Sequence, residues 1–265
     1  MAPWFKISNR ILSLFLLVTP GLSAPQSLDS VLTGVSGNVK NFRDSLPDFV
    51  CNERITSQNL DKTGKIADQL TVESVFSVRK RDAGRGPSLV EGREPLTING
   101  KPAKKGTAFP KLPFRHGDGF SAGLFLTFHP DNLEFQTYKL AGSEGLSGNN
   151  ALIIEFATKE GQQRLRYFER DGDSFALQHS GKAWIHLGAM QALRLDIRYL
   201  NTPNLNPYSS SIDYEEFDIS GGKFWMPKKV KAEGTNTKSK TKGIYAAEYS
   251  NCRKFGASIE IAPVR

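Results

Sequence analysis

The sequence predicts a mainly β (α+β) fold, a curved antiparallel half-barrel of about ten strands wrapping one N-terminal amphipathic helix. Three observations predict it. A single apolar stripe of helical period runs from Leu28 to Leu46; from Asp48 onward the apolar period changes to two; and turn residues separate the period-two runs almost to the C-terminus.

The helix is read from Leu28, Val31, Leu32, Val35, Val39, Phe42 and Leu46, which fall three or four residues apart on one face. Ser27 or Asp29 can cap its start, and Pro47 stops it. Gly34 and Gly37 lower its intrinsic helicity, so its stability must come from the surface it covers. The strands follow. Leu70, Val72, Phe76 and Val78 alternate with polar residues, as do Leu152, Ile154 and Phe156, and Leu193, Leu195, Ile197 and Tyr199. Between Ile212 and Ile219 the alternation slips at Glu215 and Glu216, which predicts a β-bulge there. Turns are expected at 61–64, 99–100, 171–173 and 221–222. Residues 79–88 read as a polar loop. Residues 101–123 read as a long excursion across one end of the sheet, with a helical turn near 120–128.

The first 23 residues read as a secretory signal, with Lys6 and Arg10 before the apolar run ILSLFLLV and small residues after Pro20. Residues 24–265 then form a single domain, exported to the periplasm or associated with the cell envelope. In an oxidising compartment Cys51 and Cys252, the only two cysteines, are expected to form a disulfide. A loop spanning nearly the whole mature chain would contribute about 5 kcal/mol in the chain-entropy model. A composition of 38% hydrophobic residues supports a packed core. The net charge of +8 is moderate.

Few residues point to chemistry. Gly119-Phe120-Ser121-Ala122-Gly123 matches G-x-S-x-G, with His179 or His186 and Asp171 or Asp173 as distant partners. An elbow serine needs a buried strand before it, and Pro113 to Asp118 cannot supply one, so a serine hydrolase using Ser121 is a remote alternative and no enzyme is expected. Asp171 and Asp173 lack the further ligands of a calcium loop, and the four histidines have no metal-binding spacing, so neither a metal nor another cofactor is expected. Residues 228–242 carry six lysines against one glutamate. In an exported chain that tract reads as a solvated hairpin tip or a weak contact with an anionic membrane surface, and not as a nucleic-acid site.

The element order and the strings Gly181-Lys182-Ala183-Trp184-Ile185-His186, Ser211-Ile212-Asp213-Tyr214 and Gly222-Lys223-Phe224-Trp225-Met226-Pro227 resemble the bacterial outer-membrane lipoprotein-carrier superfamily (LolA/LolB-like), nearest to its uncharacterised exported members. The resemblance implies a half-barrel around a hydrophobic cavity. On that reading the protein binds a lipid, an acylated partner such as a lipoprotein, or another hydrophobic ligand without catalysis. The expected contacts are Val35, Val39 and Phe42 from the helix and inward-facing Phe76, Leu195, Ile197 and Trp225 from the sheet. The alternative is a structural or protein-interaction module of the cell envelope with a sealed core, and cavity volume separates the two.

Overall fold

The computed structural model describes residues 27–82, 87–116, 120–162, 166–168 and 174–256; the leader, Gly119 and the 171–173 turn lie outside the described residues. The predicted helix forms as α1 (Leu28–Ser45), with the Ser27 hydroxyl accepting from the Ser30 amide at 3.2 Å and Val31, Val35, Val39 and Phe42 buried on one face. Four strands follow: β1 (Phe49–Leu60), β2 (Ile66–Asp82), β3 (Pro87–Ile98) and the short β4 (Lys101–Pro102). The excursion then leads through α2 (Ala122–Phe128) and α3 (Pro130–Leu133) to β5 (Gln136–Leu146) and β6 (Asn149–Thr158). A small hairpin of β7 (Arg166–Phe168) and β8 (Ser174–Ala176) precedes β9 (His179–His186), β10 (Ala192–Tyr199), β11 (Leu205–Ile219), β12 (Gly222–Asn236) and β13 (Lys242–Lys254).

Eleven of these strands form one antiparallel sheet in the order β4-β3-β2-β1-β13-β12-β11-β10-β9-β6-β5. The first and last long strands therefore lie side by side in its interior. There Cys51 and Cys252 are joined by a disulfide that closes a span of 201 residues. The order has a second consequence. β4 and β5 follow one another in the chain yet occupy opposite edges, so residues 103–135 must cross the whole sheet.

They cross on the apolar face. Register places Ile55, Ala247, Val230, Ile212, Leu195, Ala183 and Ile154 on that face, each opposite the next across neighbouring strands. The short α2 sits directly on its middle. A Cβ at Gly123 would stand 2.8 Å from Ile197 Cδ1 and 3.2 Å from Ile212 Cδ1, so glycine lets the helix backbone seat on β10 and β11. The longer α1 packs on α2, α3 and β5, with the Phe42 and Phe125 rings 6.0 Å apart. The excursion, expected across one end of the sheet, thus covers its middle and lies between the sheet and part of α1. α1 is tied to the β9–β10 turn, where Asn38 Nδ2 donates to the carbonyls of Ala189 and Met190, each at 2.8 Å.

Three other expectations shift. Residues 79–88 are not simply a loop, because β2 extends to Asp82 and β3 begins at Pro87. The irregularity expected at Glu215 and Glu216 lies in the partner strand instead: Asp213 faces Lys229 and Tyr214 faces Pro227, so Lys228 is the extra residue beside a proline that cannot donate to the ladder. The turn expected at 221–222 is centred one residue earlier, on Ser220 and Gly221, both at positive φ.

Glycine substitutions separate close approach from open space. A Cβ at Gly181 would lie 1.9 Å from the Asp196 carbonyl oxygen, and backbone cannot move aside. Gly181→Ala is expected to cost at least about 3 kcal/mol in urea unfolding, the upper end for overpacking. Gly37 in α1 has nothing within 4 Å. Gly37→Ala is expected to stabilise by about 0.5–1 kcal/mol.

Candidate functional site

The crossing segment does not lie flush on the sheet along its whole length. It is anchored at Phe114, whose carbonyl accepts from the Ser57 hydroxyl at 2.6 Å and whose amide donates to the same oxygen at 2.8 Å. The Phe114 ring fills the hollow over Gly243, where a Cβ would come within 2.0 Å of it. Asn59 Nδ2 adds a 2.9 Å bond to the Pro113 carbonyl. On the other side of this anchor Phe120 packs between Phe49, Phe76 and Tyr249, with ring centroids 5.6, 5.3 and 5.2 Å away.

Between these fixed points a cavity of about 640 Å³ remains, lined by Ile55, Val230, Tyr245 and Tyr249 from the sheet and by Phe109, Leu112 and Phe120 from the crossing segment. Lys111, Arg115 and His116 complete the segment's side, and Glu91 and Arg93 that of β3. Its sheet wall follows from period two, because Ile55, Val230, Tyr245 and Tyr249 are all inward positions.

A polar cluster closes one end. Glu53, 2% exposed, occupies an inward position of β1 and is met by Arg93 Nε at 2.9 and 3.0 Å and by the Ser74 hydroxyl at 2.8 Å. Arg93 also reaches Glu91 at 3.2 Å and lies 4.7 Å over the Phe76 ring. Glu91 in turn accepts from the Phe120 amide, which ties the crossing segment to β3. Burial pushes the Glu53 carboxyl above its ordinary value against the pull of Arg93. Burial opposes the charge of Arg93, and the attraction of Glu53, Tyr249, Glu91 and Tyr245 overcomes it, so the guanidinium stays protonated. Burial likewise raises the phenols of Tyr245 and Tyr249, leaving them neutral hydrogen-bonding groups.

The seven residues expected to contact a ligand are placed elsewhere. Val35, Val39, Phe42, Phe76, Leu195 and Ile197 are buried together in one core, and Trp225 is half-buried against it, 6.4 Å from the His186 ring. None of the seven lines this cavity; Phe76 stands one layer behind it, against Phe120 and Tyr249. Periodicity identifies inward positions, and an inward residue is sealed or open according to what crosses above it. A second, wider trough of about 1080 Å³ runs across the sheet from β5 to β13, lined by apolar residues such as Tyr138, Phe156 and Ile244 as well as by Lys139, Glu155, Ser180, Arg198 and Ser211, and of the seven only by Ile197.

The remaining polar candidates resolve into structural positions. Ser121 is buried at the start of α2 and makes no hydrogen bond to a histidine among the described residues. His179 is fully buried, with Nδ1 at 3.1 Å from Thr158 Oγ1 and Nε2 at 3.4 Å from Gln136 Nε2. His186 Nδ1 accepts from the amides of Gly188 and Ala189, which shapes the β9–β10 turn. Asp171 and Asp173 lie outside the described residues. Among the described residues no group of three or more His, Cys, Asp or Glu is placed to hold a metal ion, and no helix is long and apolar enough to cross a membrane.

Burial holds His116, whose Nδ1 lies 2.8 Å from the Tyr208 hydroxyl, and His179 down to about 4 from 6.5. Between those values the unfolded chain binds more protons than the folded one. Stability is therefore full above pH 6.5 and lost as pH falls toward 4. Glu53, with its carboxyl raised, opposes this but is one group against two. The thermal midpoint is expected to drop steadily from pH 7 to pH 4, with His179→Gln flattening part of the slope; a flat profile in wild type would contradict the buried, neutral histidines.

No family model matches the chain, and neither does any curated protein. Among solved structures it is similar to a DUF1329 family protein from Desulfovibrio piger, at 13% identity over 86% of this chain and 95% of that one with a TM-score of 0.41. It is similar to a LolA superfamily protein from Nitrosomonas europaea at 12% identity over 86% and 94%, TM-score 0.38. A third likeness is to an outer membrane lipoprotein-sorting protein domain from Vibrio parahaemolyticus, at 10% identity over 86% and 94%, TM-score 0.39.

Proposed function

We propose that this is an exported, non-catalytic binding protein of the periplasm or cell envelope whose ligand has an apolar body and an anionic end, as a fatty acid or the acyl part of a lipid or lipoprotein does. The observation that carries the proposal is the 640 Å³ cavity between the sheet and the crossing segment, lined by aromatic and aliphatic side chains together with Glu91, Arg93, His116 and the cations Lys111 and Arg115. That volume lies within the range of small-molecule sites, about 300–1000 Å³. The Glu53, Arg93 and Glu91 charges are already satisfied by one another, so Lys111 and Arg115 are the groups left to meet an acidic head. The same reading favours a carrier over a sealed structural module, because the hollow borders an anchored strap and the rest of the core is closed around α1 and α2.

Filling the cavity tests it. Val230 is 4% exposed and faces the space. Val230→Trp is expected to abolish displacement of a fluorescent naphthalene sulfonate by palmitate while the thermal midpoint changes little, and Arg115→Ala is expected to weaken palmitate more than a neutral long-chain alcohol. Undiminished palmitate binding by Val230→Trp would place the ligand elsewhere. The absence of catalysis has its own test: Ser121 should resist a fluorophosphonate probe in the folded protein, and covalent labelling at Ser121 would sink that part of the proposal.

A further inference from the structure

We propose that the crossing segment's basic stretch, residues 101–115, docks the protein on the anionic head groups of a lipid bilayer. From Pro95 to Gly117 the chain contains five cations, Lys101, Lys104, Lys105, Lys111 and Arg115, and no aspartate or glutamate. All five are exposed, and none forms an ion pair among the described residues. In the lysine-rich tract 228–242, Lys228 pairs with Glu215, Lys229 with Glu248 at 3.2 Å and Lys242 with Glu233 at 2.7 Å, so half of its lysines are neutralised across the ladder.

The backbone of the stretch is arranged as a strap. The Ala103 amide donates to the Leu96 carbonyl at 2.8 Å at one end, and Ser57 and Asn59 hold Phe114 and Pro113 at the other. Between Lys104 and Leu112 the only hydrogen bonds among the described residues are those with which Thr107 closes its own turn on the Lys104 carbonyl. Apolar surface accompanies the charges: Leu96 beside the strap is 48% exposed, and Phe109, Pro110 and Leu112, which line the cavity, are only half-buried and keep part of their surface outside. Interleaved cations and apolar side chains suit the head-group region of a bilayer, where charge meets lipid phosphate and the apolar groups meet the acyl boundary. A soluble polyanion would leave the exposed Leu96 in water. Because Lys111 and Arg115 also line the cavity, docking would set its wall against the membrane. The proposal stands whether or not the cavity holds a ligand.

The test is flotation of the mature full-length protein with vesicles containing phosphatidylglycerol, compared with pure phosphatidylcholine vesicles. Two triple variants of equal charge change are used, K104Q/K105Q/K111Q and K231Q/K238Q/K240Q. Each surface cation removed is expected to weaken binding about fivefold, so the strap variant should lose about a hundredfold. The tract variant should lose no more than about threefold, since on this proposal its lysines are not the ones that meet the head groups. Both should melt with the wild type. Equal loss in the two variants, no preference for phosphatidylglycerol, or retention by a soluble sulfated polysaccharide without vesicle binding would each overturn the proposal.

Discussion

The structure depends on one topological constraint: the strands before and after the excursion lie on opposite edges of an eleven-stranded sheet. With neighbouring strands about 4.8 Å apart, ten spacings put the two edges about 48 Å from each other along the sheet. The connection must cross that distance, and it does so over the apolar face. The crossing segment is therefore what covers the sheet first. α2 presses on β10 and β11 through Gly123, Phe114 is clamped by the Ser57 hydroxyl, and α1 closes over the result. The Cys51–Cys252 bond secures the seam where the two ends of the chain meet, between β1 and β13.

The cavity follows from the same constraint. A segment with three prolines between Pro102 and Pro113 cannot present helical or strand periodicity to the sheet, and so it cannot fill every hollow beneath it. Where it has a glycine or a phenylalanine to fit, contact is close. Where it runs as a strap between Ala103 and Pro113, space remains. The polar cluster at one end keeps that space from collapsing: Glu53, Arg93 and Glu91 are mutually satisfied, and Glu91 also holds the Phe120 amide. Breaking one member would leave a buried charge unpaired, which is costly, so the cluster fixes the distance between sheet and strap.

Much of this architecture was legible in the residues. The Val31, Val35, Val39 and Phe42 stripe with Ser27 before it gives α1 and its cap, and the alternation around Leu195 and Ile197 gives the wet and dry faces of β10. Strand order was not legible, because period two states which face a residue takes and not which strand lies beside it. For that reason the expected contacts Leu195 and Ile197 lie beneath α2, and Val35, Val39 and Phe42 form the face of α1 that packs into the same core. The cavity's sheet wall was half legible: Tyr245, Tyr249 and Val230 are inward by register. Glu53 carried an unused signal, a carboxylate at an inward position between Cys51 and Ile55. Phe109 and Leu112 carried none, since the excursion has no period to place them.

The central claim is that the space under the strap is a ligand site and not an accident of loose packing. Native mass spectrometry of the protein recovered from its source cells tests it most directly. The account predicts a species heavier than the protein chain by the mass of a lipid or fatty acid, shed as an anion on collisional activation. Recovery of the bare chain alone, from cells in which such lipids are abundant, would contradict it.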